Sequence, residues 1–261
     1  MPQVPLPRSP LARVIAQVRF PQILAIRDPD KVAALQEPLR PVYPILSQDQ
    51  IHRIDLSGGE TPSIHQGLIW RLADREKDAQ WRVSLGVDFV ALETSAYRSR
   101  EDFLSRLGTV VATVEQAFNP ISASRFGLRY IDRLSGEATD CVTDLIRPEV
   151  LGLVQPRGDS HPTLGESTLH LMTEAQFLAQ DGARIQGRWG QLPKNATYDA
   201  DALEPVAKPS WILDLDMFTG ESLPFADEPL LTTARSFAEC LYGLFRQMVT
   251  DEFLRFHGGE I

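Results

Sequence analysis

The sequence predicts an α+β fold: a curved antiparallel sheet with two long amphipathic helices packed on it, arising from a structural duplication. Three observations carry this expectation. Several segments alternate apolar and polar residues at the period of a half-buried strand. Two long stretches repeat apolar residues at helical spacing. The order strand, short helix, hairpin strands, long helix occurs twice along the chain.

Residues 1–10 hold four prolines and read as an extended, poorly ordered arm. From Arg13 onward Val14, Ala16, Val18 and Phe20 fall on one face of a strand, and Pro21 ends it. Asp28 caps a helix through Lys31–Leu39 with Pro29 at its first position, and Pro38, Pro41 and Pro44 break it up. Ile51–Leu56 reads as a strand followed by the turn Ser57-Gly58-Gly59. Ile64–Ala73 and Gln80–Thr94 read as a hairpin around the charged turn 74–78, with a bend near Gly86-Val87-Asp88. Ser99 and Asp102 open a helix carrying Phe103, Leu107, Val110, Val111, Val114 and Phe118, which Asn119-Pro120 stops.

The second half follows the same course: strand Arg125–Leu134, a short helix over Asp140–Leu153, and a hairpin of Ser167–Ala179 with Ala183–Trp189 around Gln180-Asp181-Gly182. A Pro-rich loop over 190–209 leads to strand Trp211–Phe218, and Asp227 with Pro229 opens a final helix to Phe256. Val18-Arg19-Phe20 is echoed by Leu128-Arg129-Tyr130. The expectation is one domain over residues 1–261, with pseudo-repeats over 11–120 and 121–257. The competing reading is that any α+β chain shows such coincidences.

Composition narrows the function. The net charge of −9 works against sequence-independent nucleic-acid binding, which needs Lys and Arg on phosphates. No apolar run reaches the roughly 20 residues that span a bilayer, and the N-terminus lacks the pattern of a signal peptide. Cys141 and Cys240 are the only cysteines, so no disulfide framework is expected, and the expected location is the cytoplasm.

The segments 10–21 (Pro-Leu-Ala-Arg-Val-Ile-Ala-Gln-Val-Arg-Phe-Pro), 88–97 (Asp-Phe-Val-Ala-Leu-Glu-Thr-Ser-Ala-Tyr) and 125–133 (Arg-Phe-Gly-Leu-Arg-Tyr-Ile-Asp-Arg) form a set. That set resembles an uncharacterised, sporadically distributed bacterial family over nearly the whole chain. The family has no assigned activity or catalytic residues. What the resemblance implies is an accessory-genome context, such as a toxin–antitoxin or phage-defence locus.

The usual catalytic signatures are missing: no P-loop, G-x-G-x-x-G, G-x-S-x-G or H-E-x-x-H occurs, and the five histidines are scattered singly. Alternation puts Asp214 and Asp216 on one strand face, a pair able to hold a divalent cation, although a cross-strand ion pair is the favoured reading. Arg125, Arg129 and Arg133 share a face of another strand. Under the duplication Arg19 and Arg129 occupy equivalent central positions and would anchor an anion. Glu93, Asp214 and Asp216 are their candidate internal partners, and pairing with those acids is the favoured reading. Thr94, Ser95 and Tyr97 precede the helix N-terminus at Ser99, where free N–H groups bind anions.

The resulting expectations are a non-enzymatic interaction subunit, antitoxin-like or defence-associated, working with a partner from a neighbouring gene. The first alternative is a small anionic-ligand module using Arg19, Arg129, Arg133, Glu93, Thr94 and Tyr97, with loop 190–209 as its lid. The second is a metal-dependent phosphoester or nucleotide enzyme at Asp214 and Asp216. No cofactor is expected.

Overall fold

The computed structural model describes residues 3–55, 63–152, 168–179 and 181–261. Leu56 and the turn at 57–59, Leu153, Ser167 and Gln180 lie outside them. Within the described residues the protein is a mixed α/β structure with one open, antiparallel nine-stranded sheet and seven α-helical segments.

The strands are β1 (Leu11–Arg19), β2 (Ile45–Asp55), β3 (Ser63–Ala73), β4 (Trp81–Gly86), β5 (Phe89–Thr94), β7 (Arg125–Ser135), β8 (Leu171–Leu178), β9 (Arg184–Leu192) and β10 (Ser210–Phe218). Their order across the sheet is β2-β3-β4-β5-β1-β7-β10-β9-β8. Two short strands, β6 (Ser122–Ala123) and β11 (Leu223–Pro224), pair separately. The chain resolves into two compact units. One is Ile15–Leu128 with Phe218–Arg235; the other is Arg129–Met217 with Ser236–Ile261 and the N-terminal residues up to Val14.

In the first unit the expected helix caps form. The Asp28 carboxylate accepts from Asp30 N at 3.0 Å and caps α1 (Pro29–Leu39). Pro38 does not break this helix, contrary to expectation. It lies in the last turn, and the carbonyls of Gln36 and Leu39 still accept from Arg40 and Tyr43. The strand expected over 51–56 starts earlier, at Ile45, because β2 pairs with β3 from Ile45↔Ala73 to Asp55↔Ser63. The bend expected in the long strand is a two-residue hairpin turn, with Gly86 opposite Phe89. The carbonyls of Val87 and Asp88 then accept from Ile23 N and Phe20 N at 2.8 and 3.0 Å. Ser99 Oγ accepts from Asp102 N to cap α2 (Arg100–Phe118), and Asn119 closes it in the left-handed region at φ 46°. The apolar stripe of α2 is buried from Phe103 to Val114, and Phe118 at its end is half-buried.

The second unit corrects three expectations. The short helix over 140–153 is three single turns: α3 (Glu137–Asp140), α4 (Val142–Leu145) and α5 (Pro148–Leu151). Pro148 forces the residue before it out of the helical region, and Arg147 is extended at ψ 142°. The final helix is likewise divided into α6 (Asp227–Met248, which begins in the first unit) and α7 (Asp251–Phe256). Val249 leaves the helix to bridge Ile146, and Thr250 Oγ1 accepts from Phe253 N to cap α7. The proline-rich arm is tied down rather than loose: Val4 N donates to the Tyr242 hydroxyl at 2.9 Å, and Arg8 N donates to His257 O at 3.0 Å.

The hairpin β8–β9 runs in register from Leu171↔Gln191 to Leu178↔Arg184. Gly190 is required there. Its φ is +146°, and a Cβ would lie 2.0 Å from the Leu171 carbonyl oxygen.

Candidate functional site

β7 and β10 are neighbours in the sheet. Thr219 N donates to Phe126 O at 2.9 Å, while Arg129 reaches Asp214, so numbers rise on one strand as they fall on the other. Alternation then puts Arg125, Arg129 and Arg133 of β7 on the same face as Asp214 and Asp216 of β10.

Arg129 grips Asp214 with both prongs of its guanidinium: Nε to Oδ1 at 2.8 Å and Nη2 to Oδ2 at 2.9 Å. Its Nη1 donates to Asp199 Oδ2 at 2.8 Å, and the Tyr198 hydroxyl donates to Asp214 Oδ2 at 3.0 Å. Asp214 is 2% exposed and Arg129 16%, so this ion pair is desolvated. On the next strand, Arg188 of β9 stands 3.9 Å from Asp214 and 3.3 Å from Glu174, its register partner on β8. Charge alternates across four adjacent strands: Arg129, Asp214, Arg188, Glu174.

The electrostatics follow from burial set against partners. Burial pulls the Arg129 pKa down, but the bonds and charge of Asp214, with help from Asp199, hold it above its ordinary value. Burial and the Asp214 charge both push the Tyr198 phenol up, so it donates as a neutral hydroxyl. Burial opposes ionisation of Asp199, yet Arg129 keeps its carboxyl below the usual range. Arg133 differs. Its Nε and Nη2 are buried and no described atom accepts from them, and desolvation pulls its pKa down. Asp132, on the opposite face of β7, is buried, and desolvation raises its carboxyl to about 7.

Tyr198 and Asp199 belong to the loop between β9 and β10, a compact excursion closed on itself. Asn195 N donates to Val206 O at 2.7 Å, and the Thr197 hydroxyl donates to Leu203 O at 2.6 Å. Ala202 and Leu203 are buried. The loop's side chains reach the sheet through the Asp199–Arg129 and Tyr198–Asp214 bonds.

Of the residues singled out in the sequence, Arg129 and Asp214 are brought together, with Arg133 four residues further along the same face. Arg19 has its own partners in the first unit: Gln17 Oε1 at 3.3 Å and Asp88 Oδ2 at 3.7 Å. Glu93 pairs with Arg82 at 3.1 Å. The Thr94 hydroxyl donates to Gln80 O and accepts from Ala96 N, which ties it into the end of the strand. Tyr97 packs its ring against Phe103. A cation at Asp214 and Asp216 would have to displace the Arg129 fork, and among the described residues no three His, Cys, Asp or Glu side chains gather as metal ligands. Sequence reasoning missed Tyr198 and Asp199, which carry no periodic signal.

No family model matches the chain, and no curated protein matches it either.

Proposed function

We propose that this chain is a non-enzymatic interaction subunit that takes an extended segment of a partner protein onto the outer edge of β8. One observation carries the reading. β8 ends the sheet order, and among the described residues no strand pairs with its far side. Such edges are normally blunted by lysine, proline or a bulge. Along Leu171–Leu178 the only charge is Glu174, already paired with Arg188, while Phe177 and Leu178 at its end and Leu169 before it are exposed. Main-chain pairing supplies affinity in strand addition, and exposed alternate side chains supply selectivity. The chain's charge of −9 suits a basic partner, as for an antitoxin-like protein that neutralises a nucleic-acid-directed one.

The family resemblance fits this reading through its accessory-gene context. A reducing cytoplasm suits the free Cys141 and Cys240, and no described helix is long and apolar enough to cross a membrane. We also infer that the fold arose by duplication, as a curved sheet carrying the long helices α2 and α6. The strand order supports this, since β2-β3-β4-β5-β1 is answered outward from the centre by β7-β10-β9-β8.

The test is native purification of the tagged protein from its host, followed by native mass spectrometry. A stoichiometric second chain is expected from the natural sequence and not from the double variant Phe177→Lys, Leu178→Lys. A lone chain, or equal recovery with both proteins, would reject strand addition.

A further inference from the structure

Arg133 repeats the setting of Arg129 without its carboxylate. Because β7 and β10 run antiparallel, a step of four residues from Arg129 to Arg133 corresponds to a step of four back from Asp214 to Ser210. Arg133 therefore faces Ser210 as Arg129 faces Asp214. Ser210 is buried, the Arg133 side chain is half-buried with its Nε and Nη2 sealed from solvent, and among the described residues none of Arg133 Nε, Arg133 Nη2 and Ser210 Oγ has a hydrogen-bond partner. Ser210 is 1% exposed. A buried donor without an acceptor costs about 1–3 kcal/mol, more for a charged one, so two such groups at matched positions on adjacent strands call for an explanation.

We propose that Arg133 and Ser210 bind the carboxylate of a small organic acid beneath the loop spanning 193–209. The guanidinium offers two parallel N–H donors and the serine hydroxyl a third, a set that matches the two oxygens of a carboxylate. Local charge selects the class. Arg129 is matched by Asp199 and Asp214, and Glu204 lies near enough to act on Arg133, so an incoming anion meets negative charge already in place. A singly charged carboxylate is admitted more readily than a phosphate dianion. The loop supplies the cover. Tyr198 and Glu204 both lie close enough to act on the charge of Arg133, and the loop is fastened to the sheet through Tyr198 and Asp199. This site does not depend on the β8 edge, and either assignment stands if the other fails.

The experiment follows the Arg133 Nε–Hε resonance by NMR while acetate, a capped glutamate peptide and inorganic phosphate are titrated into the full chain. Acetate should shift the resonance saturably, and phosphate should bind more weakly. Arg133→Gln, read in the same titration on the Ser210 backbone amide resonance, should weaken acetate binding on the order of tenfold or more, the loss expected for a charge-assisted bond. Ser210→Asp, which builds the missing carboxylate into the chain, should abolish the response and raise the melting temperature. No saturable shift with acetate, tighter binding of phosphate, a response to the peptide alone, or a fall in melting temperature for Ser210→Asp would each overturn the proposal.

Discussion

Arg19 and Arg129 stand in matching tripeptides, Val18-Arg19-Phe20 and Leu128-Arg129-Tyr130, yet they do different physical work. Arg19 lies 3.7 Å from Asp88, with both side chains more than a third exposed. Water screens that pair, and pairs of its kind contribute about 0–1 kcal/mol. Arg129 holds Asp214 at 2.8 Å with the carboxylate 2% exposed, and Asp199 and Tyr198 complete the network. What separates them is the loop between β9 and β10, which supplies Tyr198 and Asp199 to the Arg129 pair. An arginine on a strand becomes part of a desolvated ion-pair network when a loop brings it further partners, and the tripeptide around it does not reveal which case applies.

The largest effect expected from this comparison is loss of the second pair. Arg129→Ala leaves Asp214 buried without its cation and should destabilise the protein by about 3–5 kcal/mol in urea unfolding. Arg19→Ala should cost less than about 1 kcal/mol. Equal costs would erase the distinction.

Asp132 extends the contrast to a buried carboxyl, where desolvation is the cause of the shift. Its folded pKa of about 7 lies above the ordinary carboxylate value, so the folded state favours the protonated form. The neutral carboxyl therefore carries no penalty in acid; the penalty grows as pH rises from about 4 to about 7 and is constant above that. Asp132→Asn should stabilise the protein at pH 8 by up to about 4 kcal/mol and by little at pH 4. A gain independent of pH would show that Asp132 is charged without cost.

Smaller effects follow. Gly190→Ala forces a Cβ against the Leu171 carbonyl at positive φ and should cost roughly 1–3 kcal/mol, read as a lowered urea midpoint. Raising salt to about 1 M should remove the small contribution of Arg19–Asp88 and leave that of Arg129–Asp214 nearly intact, because screening reaches solvated charges first.

Much of the fold was legible because its signals are local. Asp28 and Ser99 cap the helices they precede, and the alternation of Val14, Ala16 and Val18 marks a strand with those side chains buried. The breaks were not legible. The final helix stops at Met248 because Val249 pairs with Ile146, a partner far away in sequence. The site divides the same way. Strand parity placed Arg129 and Asp214 on faces that could meet, and they do. Tyr198 and Asp199 lie on a loop whose hydrogen bonds have no period to read. Ser210 could have been found by extending the parity of Asp214 back by four residues.

The most direct test of the matched settings is a double-mutant cycle combining Ser210→Asp with Arg133→Gln, read by urea unfolding. If Arg133 faces Ser210 as Arg129 faces Asp214, the new aspartate should couple favourably to Arg133 by about 1.5–3 kcal/mol, and its benefit should vanish in the Arg133→Gln background. A coupling near zero, or an aspartate that destabilises both backgrounds alike, would contradict the account.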